Sequence, residues 1–107
     1  MSTPTRFSPA EMATWPVSAS GLSRVALSNA DIEVRHYAPK GHDPQTPHDR
    51  DELYFVISGQ GTFERNGSAV AFKTGDALFA AVGDQHRFKD FSADFTTWVL
   101  FYGPKKP

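Results

Sequence analysis

The sequence contains no cysteine. Without thiols there is no disulfide, no thiol nucleophile and no thiolate zinc site, so any metal ion must be held by nitrogen and oxygen. No apolar run approaches the roughly 20 residues that a membrane-spanning helix needs. No apolar stretch behind a basic region follows Met1, which argues against a signal peptide. We therefore predict a cytoplasmic protein with no membrane partner.

An excess of charge of one sign is also missing, since the formal net charge is −1. Nucleic-acid-binding domains usually carry a clustered basic excess, so we predict no nucleic-acid partner. The basic pair Lys105-Lys106 is predicted to be a solvated tail. A length of 107 residues suits one domain, which buries roughly two-thirds of the surface that its unfolded chain exposes.

The first part of the chain predicts a short helix and an arm. Segment Ser8–Glu11 combines a serine that can cap free backbone donors, a proline at the first helical position and a glutamate that reaches back. Trp15-Pro16 ends this helix, because the residue before proline disfavours helical angles. Ser18–Gly21 is a polar joint. The predicted division is residues 1–21 for helix and arm and 22–107 for the main domain.

From Leu22 onward the pattern is typical of short strands separated by turns. Runs rich in valine, isoleucine, phenylalanine and threonine alternate with glycine-containing turns, and Asn66-Gly67 predicts a tight hairpin. No crossover helix of a parallel sheet is present, so an all-β sandwich or barrel is expected. The predicted strands are Ser23–Leu27, Ile32–Ala38, Glu52–Ile57, Thr62–Arg65, Ala69–Lys73, Ala77–Ala81, His86–Phe88 and Phe95–Tyr102.

Three residues in two polar segments suggest a metal site, namely His48, Glu52 and His86. Two imidazoles and one carboxylate bind a first-row divalent metal ion and leave other coordination positions open. On a straight strand His48 and Glu52 would lie about 13 Å apart, too far to share one ion. The chain must therefore bend between them, and Asp49–Asp51 is suitable for a bend. Past its own turn, His86 begins another strand whose end a barrel can bring beside Glu52.

Each residue also has a simpler interpretation. A histidine near a strand end is usually exposed or a satisfied polar group of the core. Glu52 could lie on an exposed edge or pair with Arg35 or Arg50. If Glu52 faces inward it needs a cation, because burying an unpaired carboxylate is costly. The metal hypothesis therefore depends on the joint spacing of the three residues.

The spacing resembles the paired motifs of the cupin superfamily. In the first motif a histidine, three residues, a glutamate, six residues and a glycine correspond to His48, Glu52 and Gly59. The second motif is matched in register by Gly75, Gly83 and His86, with Ala81 at the usual proline place and Asp90 at the asparagine place. The resemblance extends from about Asp31 to Tyr102.

The resemblance implies a small single-domain cupin of the cupin 2 conserved barrel type. Its fold would be an all-β double-stranded β-helix, or jelly-roll barrel, with a short N-terminal helix. One divalent ion of manganese, iron, zinc or nickel would be bound by His48, Glu52 and His86. Thr46 occupies the place of a further histidine, so Gln45 is our first choice as fourth ligand, with His42, Asp43 or water as alternatives.

Three residues are candidates for substrate binding. Arg35 and Tyr37 share one strand face, and from that face Arg35 could bind a carboxylate through two hydrogen bonds. Tyr54 shares parity with Glu52 and could line the pocket. The alternatives are a surface salt bridge for Arg35 and core packing for Tyr54. Other aromatic residues are predicted to belong to the core or an interface, namely Phe55, Phe63, Phe72, Phe79, Phe88, Trp98 and Phe101.

Three functions follow as hypotheses. The first is a metal-dependent enzyme, of oxygenase or isomerase/lyase type, acting on a small polar organic molecule, with Glu52 and the histidines as ligands and the catalytic residues unassigned. The second is a non-catalytic module that binds or senses a sugar or metabolite. The third leaves the site empty, with the histidines serving the core. Small cupins commonly pair their barrels, so a homodimer is expected, with the strand Ser23–Leu27 reaching the partner.

Overall fold

The computed structural model describes residues 5–17 and 23–104, which form one short helix and eight strands. The elements are α1 (Pro9–Met12), β1 (Ser23–Ser28), β2 (Ile32–Tyr37), β3 (Asp51–Ser58), β4 (Gln60–Arg65), β5 (Ser68–Lys73), β6 (Ala77–Ala80), β7 (His86–Lys89) and β8 (Thr96–Tyr102). Every predicted strand is confirmed to within two residues at each end. The predicted joint at 18–21, the division after residue 21 and the pair at 105–106 lie outside the described residues. In the described ranges, no helix is long and apolar enough to cross a membrane.

Helix α1 begins as its sequence predicts. The Ser8 hydroxyl oxygen accepts a hydrogen bond from the Glu11 backbone N–H at 3.2 Å. The segment packs on the main domain through Met12, which is 0% exposed, and through the Phe7 ring, whose centroid lies 5.8 Å from that of Trp98. The Arg24 side chain also donates to the Trp15 carbonyl at 2.8 Å. The arm is therefore joined to the outer side of the larger sheet.

The strands form two antiparallel sheets, as expected for a jelly-roll barrel. One has the order β1-β2-β8-β3-β6 and the other β5-β4-β7. The hairpin between β4 and β5 uses Asn66 and Gly67 at positive φ, 49° and 85°, as predicted. At Gly59 an added Cβ would lie 2.6 Å from the Phe95 Cα. The motif glycine therefore permits close backbone approach between the start of β4 and the segment before β8.

The core lies between the sheets and is mainly aromatic. The rings of Phe72, Phe88 and Phe95 lie 4.7 to 5.4 Å apart, centroid to centroid. Alternation along β3 turns Tyr54 inward, where it is 0% exposed, and Phe55 outward, where it is 44% exposed. The aromatic residues predicted for the core or an interface thus fall into a buried group and an exposed group. Phe63, Phe72 and Phe88 are buried, whereas Phe55 and Phe79 are exposed.

Candidate metal centre

The structure brings His48, Glu52 and His86 to one point. His48 lies in the loop before β3, Glu52 is the second residue of β3, and His86 is the first residue of β7. One potential ligand atom from each lies within 4.8 Å of the other two. Ligands bonded to one ion at about 2.1 Å lie within about 4.2 Å of each other. The three side chains are therefore close to the spacing of a shared ion.

The bend predicted between His48 and Glu52 is present at residues 49 and 50. It is held by the turn that precedes β7. The Gly83 N–H donates to the His48 carbonyl at 3.0 Å, and the Val82 N–H donates to the Asp51 carboxylate at 2.9 Å. These two bonds join the two polar segments of the sequence and hold the His48 loop beside the turn before β7.

His86 is oriented by its other ring nitrogen. Nδ1 lies 3.0 Å from the Asp84 carbonyl oxygen, which only accepts hydrogen bonds, so Nδ1 carries the hydrogen and Nε2 offers its lone pair to the site. Nε2 is 2.5 Å from Glu52 Oε1, an ion-pair distance when the ring is protonated, and it makes no other contact that satisfies it as a hydrogen bond. Burial lowers the pKa of His86, but the adjacent Glu52 carboxylate more than offsets this and raises it.

Glu52 is buried, with 1% of its surface exposed. Its Oε1 accepts a hydrogen bond from the Tyr54 hydroxyl at 2.9 Å. Its Oε2 has no hydrogen-bond partner and lies 3.9 Å from His48 Nε2. An ion pair of Glu52 with Arg35 is not formed, because the Arg35 Nε instead contacts Glu33 at 2.6 Å. Glu52 is thus a buried carboxylate with an oxygen left for a cation.

Gln45 presents its side-chain oxygen to the same point. Gln45 Oε1 lies 3.3 Å from His48 Nε2 and 3.0 Å from the Tyr54 hydroxyl. The Gln45 Nε2 donates to Asp43 Oδ2 at 2.8 Å, which fixes which end of the amide faces His48. Burial lowers the pKa of His48, so its ring is neutral near pH 7. Because Gln45 Oε1 only accepts hydrogen bonds, the hydrogen of the neutral ring is on Nε2 in this arrangement, and it would have to move to Nδ1 for Nε2 to bind a metal ion.

Asp43 supports this arrangement from behind. It is 4% exposed, and it accepts hydrogen bonds from the Tyr37 hydroxyl and from the Phe88 backbone N–H at 2.8 Å, besides those from Gln45. Each of its oxygens is therefore occupied by protein donors. His42 is exposed on the loop. Of the three protein alternatives for a fourth ligand, Gln45 is the residue whose side-chain oxygen lies beside His48 Nε2.

A cavity of about 380 Å³ opens beside His48 and Gln45. Arg35 and Tyr37 line it, although the Tyr37 hydroxyl is bound to Asp43. Burial, followed by that hydrogen bond, raises the pKa of Tyr37 well above its usual value. Tyr54, which was predicted to line the pocket, is not among the lining residues; it is fully buried and its hydroxyl contacts Glu52 and Gln45. Burial, followed by the Glu52 charge, raises the pKa of Tyr54 as well.

Two residues near the site have roles that were not among the predictions from the sequence. Arg50 is only 7% exposed, lines the cavity and donates to the Ala30 carbonyl at 3.2 Å. Asp84 holds the turn before β7 by accepting from Asn66, Arg65 and the Ala81 N–H. These bonds lower the pKa of Asp84 to about 2. The Gly83-Asp84 turn was a signal for Asp84, whereas nothing in the sequence marked Arg50 as buried.

Comparison with known proteins decides the family. A family model described as a cupin domain matches residues 33–99, which is more than half of the chain. The chain belongs to the cupin domain family. A relative, an uncharacterised protein of Streptomyces coelicolor, is 32% identical over 63 residues. That match covers 59% of this chain and 60% of the relative's length.

Solved structures share the cupin fold at low sequence identity. KdgF from Halomonas sp. has a TM-score of 0.73 at 20% identity, and the match covers 94% of each chain. A cupin 2 conserved barrel domain protein from Salinispora arenicola has a TM-score of 0.71 at 17% identity, covering 94% of this chain and 90% of the other. These similarities confirm the predicted jelly-roll barrel and concern the fold alone.

Both departures from the second cupin motif have a structural explanation. Asp90, at the asparagine place, has a φ of 51°, a region that asparagine and aspartate tolerate better than other side chains. Ala81, at the proline place, retains a backbone N–H that donates to Asp84 at 2.8 Å. The turn before β7 is therefore closed by a hydrogen bond that proline could not donate, and the position after β7 is filled by a residue that tolerates positive φ.

Proposed function

We propose that this cupin holds one divalent metal ion with His48, Glu52 and His86, and that Gln45 supplies a fourth ligand. One observation carries the proposal, namely that His86 Nε2 and Glu52 Oε2 are buried without a hydrogen-bond partner. Buried polar atoms are nearly always paired, because an unpaired one is costly. A cation between them supplies the missing interaction. This nitrogen and oxygen set suits manganese, iron, zinc or nickel.

Metal analysis of the purified protein tests this proposal directly. We expect about one ion per chain, and after chelation we expect calorimetry with Mn²⁺ or Ni²⁺ to show one site. The substitutions His86→Ala and Glu52→Ala should each abolish binding, because each removes a ligand. His42→Ala is the matched control, since His42 is exposed on the same loop as His48. Full metal retention by His86→Ala would contradict the proposal.

Chelation should also lower thermal stability. A ligand present at 100 times its dissociation constant stabilises the native state by about 2.7 kcal/mol. For a domain of this size, that corresponds to a Tm difference of roughly 10 °C or more. Scanning calorimetry with and without EDTA measures it. An identical Tm in both conditions, in protein shown to contain metal, would mean that the ion lies elsewhere.

The metal centre would serve a small polar organic molecule in the adjoining cavity, through oxygenase or isomerase/lyase chemistry. A bound divalent ion acts as a Lewis acid that polarises oxygen atoms of such a molecule. Arg35, which also lines the cavity, would orient the molecule. Tyr37 stays protonated because its pKa is raised, so we assign it no role as a base.

A second candidate function is a non-catalytic module that binds or senses a metabolite. This function is favoured because polar side chains of the cavity are already hydrogen-bonded to other protein groups: Tyr37 donates to Asp43, and Arg35 donates to Glu33. Side chains held in this way are less available as acid or base catalysts. Turnover distinguishes the two functions. Conversion of a small oxyacid, diketone or phenol by protein loaded with iron or manganese, lost in Glu52→Ala, would support the enzyme. Ligand-dependent stabilisation without conversion would support the binding module.

We also propose that the protein forms a homodimer. Strand β1 is the terminal strand of its sheet. Phe55 and Phe79 are 44% and 38% exposed, on the sheet face opposite to Glu52. Light scattering at high concentration tests the assembly, and a monomeric mass there would refute it.

A further inference from the structure

Two arginines line the cavity beside the metal centre. The cavity is lined by His48 and Gln45 of the proposed ligand set and also by Arg35, Arg50 and Glu33. Guanidinium groups are permanently charged at physiological pH and bind carboxylates through paired N–H donors. The chemistry of this wall therefore bears on the charge of the molecule that the cavity accepts.

Arg35 is held in place while part of its donor fork stays available. Its Nε donates to Glu33 Oε2 at 2.6 Å, and its Nη1 donates to the Ser23 hydroxyl at 2.9 Å. Its Nη2 makes no hydrogen bond to a protein atom in the described residues. Two contacts thus fix the plane of the guanidinium and leave donors for a ligand.

Arg50 adds a second cation to the same wall. It is 7% exposed, its Nη2 donates to the Ala30 carbonyl at 3.2 Å, and its Nε has no hydrogen-bond partner. A buried guanidinium without a carboxylate of its own is costly. Arg50 therefore contributes positive charge that Glu33, already bound to Arg35, only partly balances.

The positive charges of the cavity wall can be counted against the negative charges beside them. Arg35 and Arg50 face two carboxylates, Glu33 and Asp49. Asp49 is exposed, so water screens its charge more than that of the partly buried Glu33. A divalent ion at the metal centre exceeds the single negative charge of Glu52. With the buried Asp43 carboxylate behind Gln45 also counted, the loaded site is close to neutral, so attraction for an anion comes from the local donors of Arg35 and Arg50.

We propose that this cavity binds a small organic acid, with its carboxylate on Arg35 and a second oxygen directed toward the metal centre. The second contact rests on the metal proposed above, whereas the first depends on Arg35 alone. Glu33 competes with the ligand for Arg35, and Arg50 adds attraction without a direct contact being required.

Gluconate and sorbitol form a matched pair of probes, because they differ in one carboxylate and are small enough for a cavity of about 380 Å³. We expect gluconate to bind to the metal-loaded protein and sorbitol to bind at least about tenfold more weakly, as the loss of a charge-assisted hydrogen bond implies. Equal affinities for the two probes, or no gluconate binding at millimolar concentration, would overturn the proposal.

Three substitutions test the role of Arg35. Arg35→Gln should weaken gluconate binding about tenfold or more, and Arg35→Lys should lie between it and the wild type, because lysine keeps the charge but lacks the fork. Glu33→Gln should strengthen binding, since it removes the competing charge but keeps an acceptor for Arg35. Arg87→Gln is the control, because Arg87 is exposed on β7. Unchanged affinity in both Arg35→Gln and Glu33→Gln would refute the assignment.

The metal-binding measurements and gluconate titrations of chelated protein together separate this proposal from the metal proposal. Gluconate binding that depends on Arg35 in a protein that binds no metal would support the acid site and refute the metal centre. If the protein binds metal but its affinity for gluconate does not change on substitution of Arg35, the metal centre would be supported and the acid site refuted.

Discussion

Replacing Gln45 by glutamate is expected to destabilise the protein strongly, because Asp43 lies directly behind it. The Gln45 Nε2 donates to Asp43 Oδ2 at 2.8 Å, and glutamate would place a second carboxylate oxygen there. Two unit negative charges separated by 2.8 Å repel by about 6 kcal/mol at an effective dielectric constant of 20. That is a large part of the roughly 5–15 kcal/mol by which domains are stable. Uptake of a proton by one carboxyl group would relieve part of it.

Adding Asp43→Asn to Gln45→Glu should restore much of the loss. The amide at position 43 can donate to the carboxylate at position 45, which reverses the direction of the wild-type hydrogen bond. The Phe88 N–H, now bound to Asp43, loses its acceptor, and an unsatisfied donor costs about 1–3 kcal/mol. The double variant should therefore lie between the wild type and Gln45→Glu in its free energy of unfolding.

Urea unfolding in the presence of EDTA measures these free energies without any contribution from metal. Gln60→Glu is the control, because Gln60 is an exposed glutamine whose substitution should change stability by no more than about 0.5 kcal/mol. If the double variant is no more stable than Gln45→Glu, Asp43 and Gln45 do not contact each other in solution. The orientation argued for the Gln45 amide would then be wrong.

The single change Asp43→Asn tests the same contact through the metal centre. An amide at position 43 lets the Gln45 amide turn over, so that its nitrogen instead of its oxygen faces His48. Loss of a group that orients a ligand typically lowers metal affinity about 10–100-fold, and calorimetry measures the change. Unchanged affinity would remove Gln45 from the proposed ligand set.

Other predictions concern the framework of the site. Asp84 has a pKa of about 2, below its ordinary 3.8, so its stabilising effect is complete above pH 4 and is lost as the pH falls through 2. Asp84→Asn should thus be less stable than the wild type at pH 7, with the difference shrinking toward pH 2, and a constant difference would contradict this. Gly59→Ala should lower the Tm, because the new Cβ would lie 2.6 Å from the Phe95 Cα; an unchanged Tm would disprove the close approach. Phe88→Ala should cost about 3–5 kcal/mol in urea unfolding, as for other buried aromatic residues, and a loss under 1 kcal/mol would argue against its central position.

Much of the architecture was predictable because it depends on local patterns. The capping serine at residue 8 and the Asn66-Gly67 hairpin act within a few residues, so the helix start and the turn follow from the sequence. The grouping of His48, Glu52 and His86 was also predictable, since motif spacing and the need for a bend carry that information. The physical reason is that turns and strand alternation are short-range properties of the chain.

The choice among the loop residues near His48 was not predictable. Asp43 and Gln45 are two residues apart and both carry oxygen ligands, so either was compatible with the pattern. Their roles are decided by the Tyr37 hydroxyl and the Phe88 N–H, which occupy Asp43. Phe88 is 45 residues away from Asp43 in the chain, and the sequence does not indicate that these two residues come into contact.

The sequence by itself determined an all-β chain with a short capped helix, no thiol chemistry and a set of two imidazoles and a carboxylate at the spacing of a cupin. Only the tertiary structure decided that Gln45 faces the centre, that Asp43 supports it and that Arg50 is buried beside Arg35. The first group depends on residue type and local spacing. The second depends on hydrogen bonds and burial between segments far apart in the chain, which exist only once the two sheets have closed.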